Sequence, residues 1–143
     1  MSDDRITVEE LRYISVFQEI TGATVYRCIV DESNNKLYVL VARGDLGRAI
    51  GKRGYNIKIL RSLLKKDIEV IEYSESIDGM VKNLFPGAKI LGVRVTNRGE
   101  ERIVNLKVAE EDKGRVIGKD GRNIKKARLI LGKLFGINKV YVR

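Results

Sequence analysis

The 143-residue chain has 28 Lys and Arg residues against 19 Asp and Glu residues, a net charge of +9, and 43% of its residues are hydrophobic. This balance is typical of a folded globular protein rather than a disordered chain, and the basic excess favours a polyanionic partner. One cysteine, Cys28, and no histidine exclude an internal disulfide and a Cys/His zinc site, so we expect no bound metal and a reducing compartment. No apolar run approaches the length of a membrane span, and the polar segment Met1–Asp4 is unlike a targeting peptide, so we expect a cytoplasmic protein with no membrane partner.

The first half is expected to fold in the order helix, strand, strand, helix, helix, strand. Thr7 and Glu10 have the spacing of a capping box, which predicts the start of a helix that ends near Gly22. Turn residues at 33–35 separate two runs that are typical of strands. The predicted elements are helix Val8–Ile20, strands Thr24–Asp31 and Lys36–Ala42, helix Leu46–Ile50, a longer helix with apolar positions from Ile57 to Leu64, and strand Ile68–Tyr73.

The second half repeats this order. Pro86 and Gly87 end its first helix. Val104, Leu106 and Val108 alternate with polar residues, which indicates a sheet with one buried and one solvated face. The predicted elements are helix Ile77–Leu84, strands Ile90–Thr96 and Arg102–Val108, helix Lys113–Ile117, a long helix with apolar positions from Ile124 to Leu134, and strand Val140–Val142.

Two segments of the chain, 45–58 and 112–125, match without a gap at ten of their fourteen positions. A match of this quality indicates an internal repeat, and a repeat decides the architecture. We therefore predict two domains, 1–74 and 75–143. The first has 12 basic and 11 acidic residues and the second 16 and 8, so most of the basic excess lies in the second half.

Each repeated segment contains a Gly-Lys-x-Gly loop between two predicted helices, at Gly51–Gly54 and Gly118–Gly121. Glycines permit backbone conformations that other residues avoid and let a ligand approach the main chain. The N–H groups at the start of the following helix carry partial positive charge, and Lys52 and Lys119 each add a full charge. The loops are therefore suited to binding phosphate.

Basic and apolar residues flank both loops. Windows 46–61 and 113–128 are the most basic parts of the chain, and phosphate neutralisation by such windows gives salt-dependent affinity. The apolar neighbours either pack in a core or face unstacked bases, and Tyr55 either stacks on a base or is a partly buried helix residue. The candidate RNA-binding residues are Arg48, Ile50, Gly51, Lys52, Arg53, Gly54, Tyr55, Ile57, Lys58, Arg115, Ile117, Gly118, Lys119, Asp120, Gly121, Arg122, Ile124 and Lys125.

Three aspartates lie in or next to the repeated loops. Asp45 and Asp112 stand just before the two short helices and are expected to cap them. Asp120 occupies the position that Arg53 occupies in the first loop, and an acid beside a phosphate clamp weakens the local attraction.

Catalysis is not expected. There is no histidine and no arrangement that would activate a nucleophile. The Gly-Lys pairs lack the earlier glycine and the following Ser or Thr of a P-loop, and no Gly-x-Gly-x-x-Gly fingerprint occurs. We therefore expect a binding protein without a cofactor or a small-molecule substrate.

The pattern Ile-Gly-Lys-x-Gly-x-Asn-Ile, at Ile50–Ile57 and Ile117–Ile124, resembles the signature of KH domains. Since the additional helix and strand precede this motif, each half resembles the type II, prokaryotic form. The resemblance implies an α+β fold of two tandem type II KH domains, each a three-stranded sheet packed against helices, with a loop that clamps about four nucleotides. Two directly abutting domains of this kind resemble the archaeal NusA-like transcription factor family.

That family resemblance implies a single-stranded RNA-binding protein that acts in transcription elongation, termination or antitermination, with RNA polymerase as a candidate partner. Two other functions remain open: a ribosomal or ribosome-assembly KH protein, and a single-stranded DNA binder.

Overall fold

The computed structural model describes residues 5–143, and these divide into two compact units, 5–74 and 75–143. Met1–Asp4, the segment that is unlike a targeting peptide in its sequence, lies outside the described residues. Among the helices that are described, none is both long and apolar enough to cross a membrane.

The first unit contains three helices and three strands in the expected order. A single 3-10 turn at 32–34 joins the first two strands, and another at 52–54 joins the last two helices. The elements are α1 (Val8–Thr21), β1 (Val25–Asp31), β2 (Lys36–Val41), α2 (Leu46–Ile50), α3 (Tyr55–Leu64) and β3 (Asp67–Glu72).

The second unit has the same order of elements, which confirms the predicted α+β fold with two three-stranded sheets. Its elements are α4 (Ile77–Leu84), β4 (Ile90–Arg98), β5 (Glu101–Val108), α5 (Lys113–Ile117), α6 (Arg122–Phe135) and β6 (Lys139–Val142). Strand β4 runs two residues beyond the predicted Thr96, because Arg98 pairs directly with Glu101 across a two-residue turn. Gly99, with φ of +63°, is the first residue of that turn and supplies the conformation a tight hairpin needs.

The two sheets have equivalent topology. Strand β2 pairs antiparallel with β1 and parallel with β3, and β5 does the same with β4 and β6. A parallel neighbour requires a crossover connection, and in each unit the two helices around the Gly-Lys-x-Gly loop form that crossover. The loop is thus held on the helical connection that closes the sheet.

The core of the first unit lies between its helices and one face of its sheet. Phe17 from α1 and Leu60 from α3 meet Leu37, Val39 and Val41 of the central strand, and all five are fully buried. In the second unit Val104 and Leu106 of β5 and Ile130 and Leu131 of α6 are fully buried. The alternation predicted for β5 is therefore confirmed on its core face.

Cys28 belongs to the first core. It is 1% exposed, and burial, with a smaller contribution from the Glu10 carboxylate, raises the pKa of its thiol to about 12. Because only the thiolate is an effective nucleophile, we expect native Cys28 to react with an alkylating reagent at pH 8 far more slowly than the thiol of the denatured chain. Mass spectrometry of timed samples measures this, and equal rates in the two states would contradict the buried position.

The predicted capping box at the start of α1 is only half correct. The Thr7 hydroxyl accepts a hydrogen bond from the Glu10 main-chain N–H at 3.1 Å, as expected. The Glu10 carboxylate, however, accepts hydrogen bonds from the Arg27 side chain, at 2.7 Å from Nε, and from the Cys28 main-chain N–H at 3.0 Å. Glu10 therefore joins α1 to β1 instead of capping its own helix.

The expected capping roles of Asp45 and Asp112 are wrong. Neither side chain bonds to the N–H groups of the helix that follows it. The Asp45 carboxylate accepts a hydrogen bond from the Thr24 N–H, and the Asp112 carboxylate accepts one from the Lys89 N–H, both at 2.8 Å. Thr24 and Lys89 each immediately precede the first strand of their sheet, so each aspartate ties the start of a loop helix to that strand.

Candidate nucleic-acid interface

The two Gly-Lys-x-Gly loops have nearly the same backbone conformation. The first glycine of each loop ends a short helix, with φ and ψ of 80° and 166° at Gly51 and of 78° and 168° at Gly118. The second glycine of each loop is left-handed and immediately precedes the next helix, at Gly54 and Gly121. The sequence repeat is thus also a repeat of local structure.

The first glycine of each loop is required by conformation and by space. A Cβ at Gly51 would lie 2.8 Å from Cγ and 2.9 Å from the main-chain N of Asn56, and one at Gly118 would lie 2.9 Å and 3.0 Å from the same atoms of Asn123. Its combination of positive φ and extended ψ is also essentially restricted to glycine. The tight approach brings the loop main chain against the first turn of the following helix.

Asn56 and Asn123 hold this arrangement, and they are absent from the residues predicted to form the site. The Asn56 amide donates a hydrogen bond to the Arg48 carbonyl at 3.0 Å, and the Asn123 amide donates one to the Arg115 carbonyl at 2.7 Å. Each bond links the helix after the loop to the helix before it. The sequence does carry a signal, since both asparagines are identical in the repeat, but their role depends on a contact across the loop.

The third position of each loop is left-handed without being glycine. Arg53 has φ of 56° and Asp120 has φ of 58°. Aspartate adopts this conformation more readily than most residues. From the sequence, Asp120 is expected only to weaken the attraction for phosphate. Its left-handed backbone conformation shows that aspartate also suits this position of the loop.

Positive charge from the helix N-terminus and from a lysine lies at the start of each helix that follows a loop. No side chain caps α3 or α6, because the cap positions are Gly54 and Gly121. The side chains of Lys52 and Lys119 are exposed beside these helix starts. The first N–H group of each helix, at Tyr55 and Arg122, donates to the carbonyl of Lys52 or Lys119. The helix start, which no side chain caps, and the exposed ammonium beside it form an arrangement that can accept a phosphate.

The apolar candidates divide between surface and core. Ile50 and Ile117, the last residues of the short helices, are exposed at 36% and 41%. Ile57 is buried with the first core, and Ile124 is half-buried. Only Ile50 and Ile117 are thus clearly available to a base.

Tyr55 and its neighbours border a concavity of about 560 Å³ at the first loop. The tyrosine ring is 65% exposed, which leaves it accessible for stacking. The walls of the concavity also include Lys52, Arg53 and Lys58. An aromatic side chain among cations is the combination that binds single-stranded nucleic acids.

Arg48 and Arg115, predicted to bind RNA, also make contacts within the protein. Arg48 donates to the Gly22 carbonyl at 3.4 Å, and Arg115 donates to the Gly87 carbonyl at 2.9 Å and to the Asp112 carboxylate at 2.8 Å. The hydrogen bond from the Lys89 main chain, together with Arg115, lowers the pKa of Asp112. Both guanidinium groups remain on the surface.

The remaining candidates on the second loop, Arg122 and Lys125, are exposed on the first turn of α6. Arg122 occupies the position of Tyr55, so the two loops present different groups at that point.

Each unit has the order helix, strand, strand, helix, loop, helix, strand. This order, with a Gly-Lys-x-Gly loop between the last two helices, defines a type II KH domain, and the chain contains two of them.

Comparison with known proteins agrees with this class. A family model described as KH domain matches residues 11–82, and one described as KhpA/KhpB, KH domain matches residues 74–134. The chain is 34% identical over 138 residues to the probable transcription termination protein NusA of Methanococcus vannielii, with 96% of this chain and 79% of the relative covered. A relative of the same description from Halobacterium salinarum is 30% identical, with 95% and 96% covered.

A solved structure described as the crystal structure of APE1850 superposes with a TM-score of 0.94 at 59% sequence identity, and the match covers 96% of this chain and all of that chain. The chain belongs to the archaeal NusA-like family of tandem KH-domain proteins. It is therefore an RNA-binding protein of the NusA-like class.

Proposed function

We propose that the protein binds nascent single-stranded RNA through its two Gly-Lys-x-Gly loops and, without catalysing a reaction, influences elongation or termination by RNA polymerase. The observation that carries the proposal is the repeated loop, in which a helix start without a side-chain cap and an exposed lysine lie together in both units. The names of the curated archaeal relatives support the role in transcription.

The two loops are proposed to contact the RNA in different ways. The first presents Arg53 and Tyr55, which favours a phosphate contact and a stacked base. The second presents Asp120 and Arg122, which leaves Lys119 and Arg122 as its phosphate ligands. Ile50 and Ile117 supply an apolar surface beside each loop.

The loops are tested by reversing their charge. In the first, Lys52→Asp is combined with Arg53→Asp; in the second, Lys119→Asp suffices, since Asp120 is already acidic. Both loops then read Gly-Asp-Asp-Gly. Each variant is expected to bind a short unstructured RNA at least about tenfold more weakly and to show a shallower salt dependence, by about 0.7 in slope for each phosphate that it no longer neutralises. Fluorescence anisotropy at several salt concentrations measures both quantities.

The matched controls reverse charge away from the loops. Lys82→Asp on α4 is the control for Lys119→Asp, and Lys82→Asp with Arg12→Asp on α1 is the control for the double variant; both side chains are exposed. If folded loop variants bound RNA as tightly as these controls, the loops would be structural turns and the proposed site would be wrong. Binding of a matched DNA strand with equal affinity would contradict the choice of RNA.

The role in transcription is tested by co-purification from the source cells. Recovery of RNA polymerase subunits with the tagged protein, reduced by the loop variants or by ribonuclease, is expected. Recovery of ribosomal particles without polymerase would favour a ribosomal role instead.

A further inference from the structure

The sheet of the second unit has a face that the function above does not use. Strand β5 is its centre, and Asn105 pairs with Arg94 on one side and with Tyr141 on the other. The surface borders a concavity of about 990 Å³. We call it the open sheet face, and define it by Arg94, Arg98, Asn105, Lys107, Tyr141 and Arg143.

The same positions in the first sheet have the opposite chemistry. The two sheets share strand order and pairing, so their residues can be matched one by one. The matched pairs are Ile29 with Arg94, Leu40 with Lys107, and Ile71 with Arg143. All three residues of the first sheet are buried, whereas their counterparts in the second sheet are exposed cations. The difference is therefore specific to the second unit and is not a property of the repeated fold.

Arg98 lies opposite Glu101 in the hairpin, but Arg94, Lys107 and Arg143 form no ion pair with an acidic side chain within the described part of the chain. The nearby carboxylates of Glu101 and Glu110 pair with Lys139 and Lys113. Lys107 lies directly beside Arg143, since the Arg143 main chain bonds to both residues that flank Lys107. Like charges on adjacent strands destabilise a sheet. An anion lying across the face would relieve this repulsion.

An exposed aromatic ring completes the surface. Tyr141 is 49% exposed and stands one strand away from Asn105. About half of the ring surface is therefore accessible for stacking. Cations that track a backbone, an amide that reads a base edge and a ring on which a base stacks are together the means of binding single strands.

We propose that the open sheet face binds a further stretch of single-stranded RNA, outside the stretch held by the loops. The proposal rests on the proposed function for the identity of the ligand, and it adds a second contact surface that lengthens the bound segment. Arg94, Lys107 and Arg143 neutralise phosphates, and Tyr141 stacks on one base.

The test compares two alanine variants with controls of equal composition on an unstructured RNA of about 25 nucleotides, several times the roughly four that one loop clamps. Arg94→Ala with Lys107→Ala is expected to weaken binding at least about tenfold relative to Arg12→Ala with Lys82→Ala. Tyr141→Ala is expected to weaken it at least about fivefold relative to Tyr26→Ala. Tyr26 is the control because it is 47% exposed on a strand of the other sheet; its ring also packs against Tyr73 at 4.8 Å between centroids, so its removal controls for the loss of a half-exposed ring and of its packing. All positions are on the surface, and circular dichroism checks that each variant is folded.

A second measurement does not depend on affinity. Photoreactive uracils in the long RNA are expected to crosslink to the peptide that contains Tyr141, and the crosslink is expected to disappear in Arg94→Ala with Lys107→Ala. The inference is overturned if the sheet variants bind as their controls do and no such crosslink forms, even though the loop variants lose binding. Loss of binding in the sheet variants alone would support the open sheet face while contradicting the loops as the site.

Discussion

Replacing Gly51 with alanine is expected to destabilise the first unit by about 3 kcal/mol or more and to weaken RNA binding at the first loop. Two effects add, because the backbone conformation is one that only glycine adopts at low cost and the new Cβ would lie 2.9 Å from the Asn56 main-chain N. Main-chain atoms at the start of α3 cannot rotate away as a side chain would. Urea denaturation measures the free energy of unfolding, and anisotropy with a short RNA measures the binding.

Gly47→Ala is the matched control. Gly47 lies inside α2 without a positive φ, and no atom lies within 4 Å of the place that a Cβ would take there. Alanine at this position is therefore expected to be neutral or stabilising by up to about 1 kcal/mol. Gly118→Ala and Gly114→Ala repeat the comparison in the second unit. Equal stability of Gly51→Ala and Gly47→Ala would show that the loop relaxes around a side chain and that its tight approach is not needed.

Replacing Glu10 with alanine is expected to destabilise the first unit by about 3–4 kcal/mol. Glu10 is 7% exposed, and the Arg27 side chain that it pairs with is 14% exposed. Removal of the carboxylate leaves a nearly buried guanidinium and the Cys28 N–H without their acceptor, which costs far more than loss of a surface ion pair. Thermal or urea unfolding measures the change.

Two further variants test whether the loss of stability comes from the unpaired buried charge. Glu19→Ala, an exposed carboxylate on the same helix, is expected to change the stability by less than about 0.5 kcal/mol. Glu10→Leu combined with Arg27→Met is expected to recover part of the loss, because a well-packed apolar pair leaves no unpaired buried charge. If Glu10→Ala were as mild as Glu19→Ala, the buried ion pair would not hold α1 to β1.

The order of the elements and the positions of the loops follow from local features of the amino-acid sequence. The spacing of apolar residues predicts the strand at 68–73 and the helix at 124–134, and this spacing is a local property of the sequence. The internal repeat then indicates that both halves have the same topology. The glycines at 51 and 118 are recognisable for the same reason, since a tight turn between two helices leaves few other choices. These features depend on residues that are close together along the chain.

The roles that the sequence does not predict are those decided by distant partners. Glu10 has the spacing of a capping box and Asp45 that of a helix cap, but the fold pairs them with Arg27 and Thr24. A carboxylate near a helix start can bond to its own helix or to a neighbouring strand, and only the packing decides between them. Asn56 is visible in the motif, yet its bond to the Arg48 carbonyl requires the folded loop.

The parallel closure of each sheet has a consequence for synthesis of the protein. Strand β2 pairs with β1, which precedes it in the chain, and with β3, which follows both loop helices. One edge of β2 therefore has no partner until Asp67–Glu72 has been synthesised. During that interval Leu37, Val39 and Val41 lie on an open strand whose final neighbour does not yet exist. Such edges attract strands of other chains, so the growing chain exposes an aggregation-prone edge while the two helices that carry its first Gly-Lys-x-Gly loop are being made.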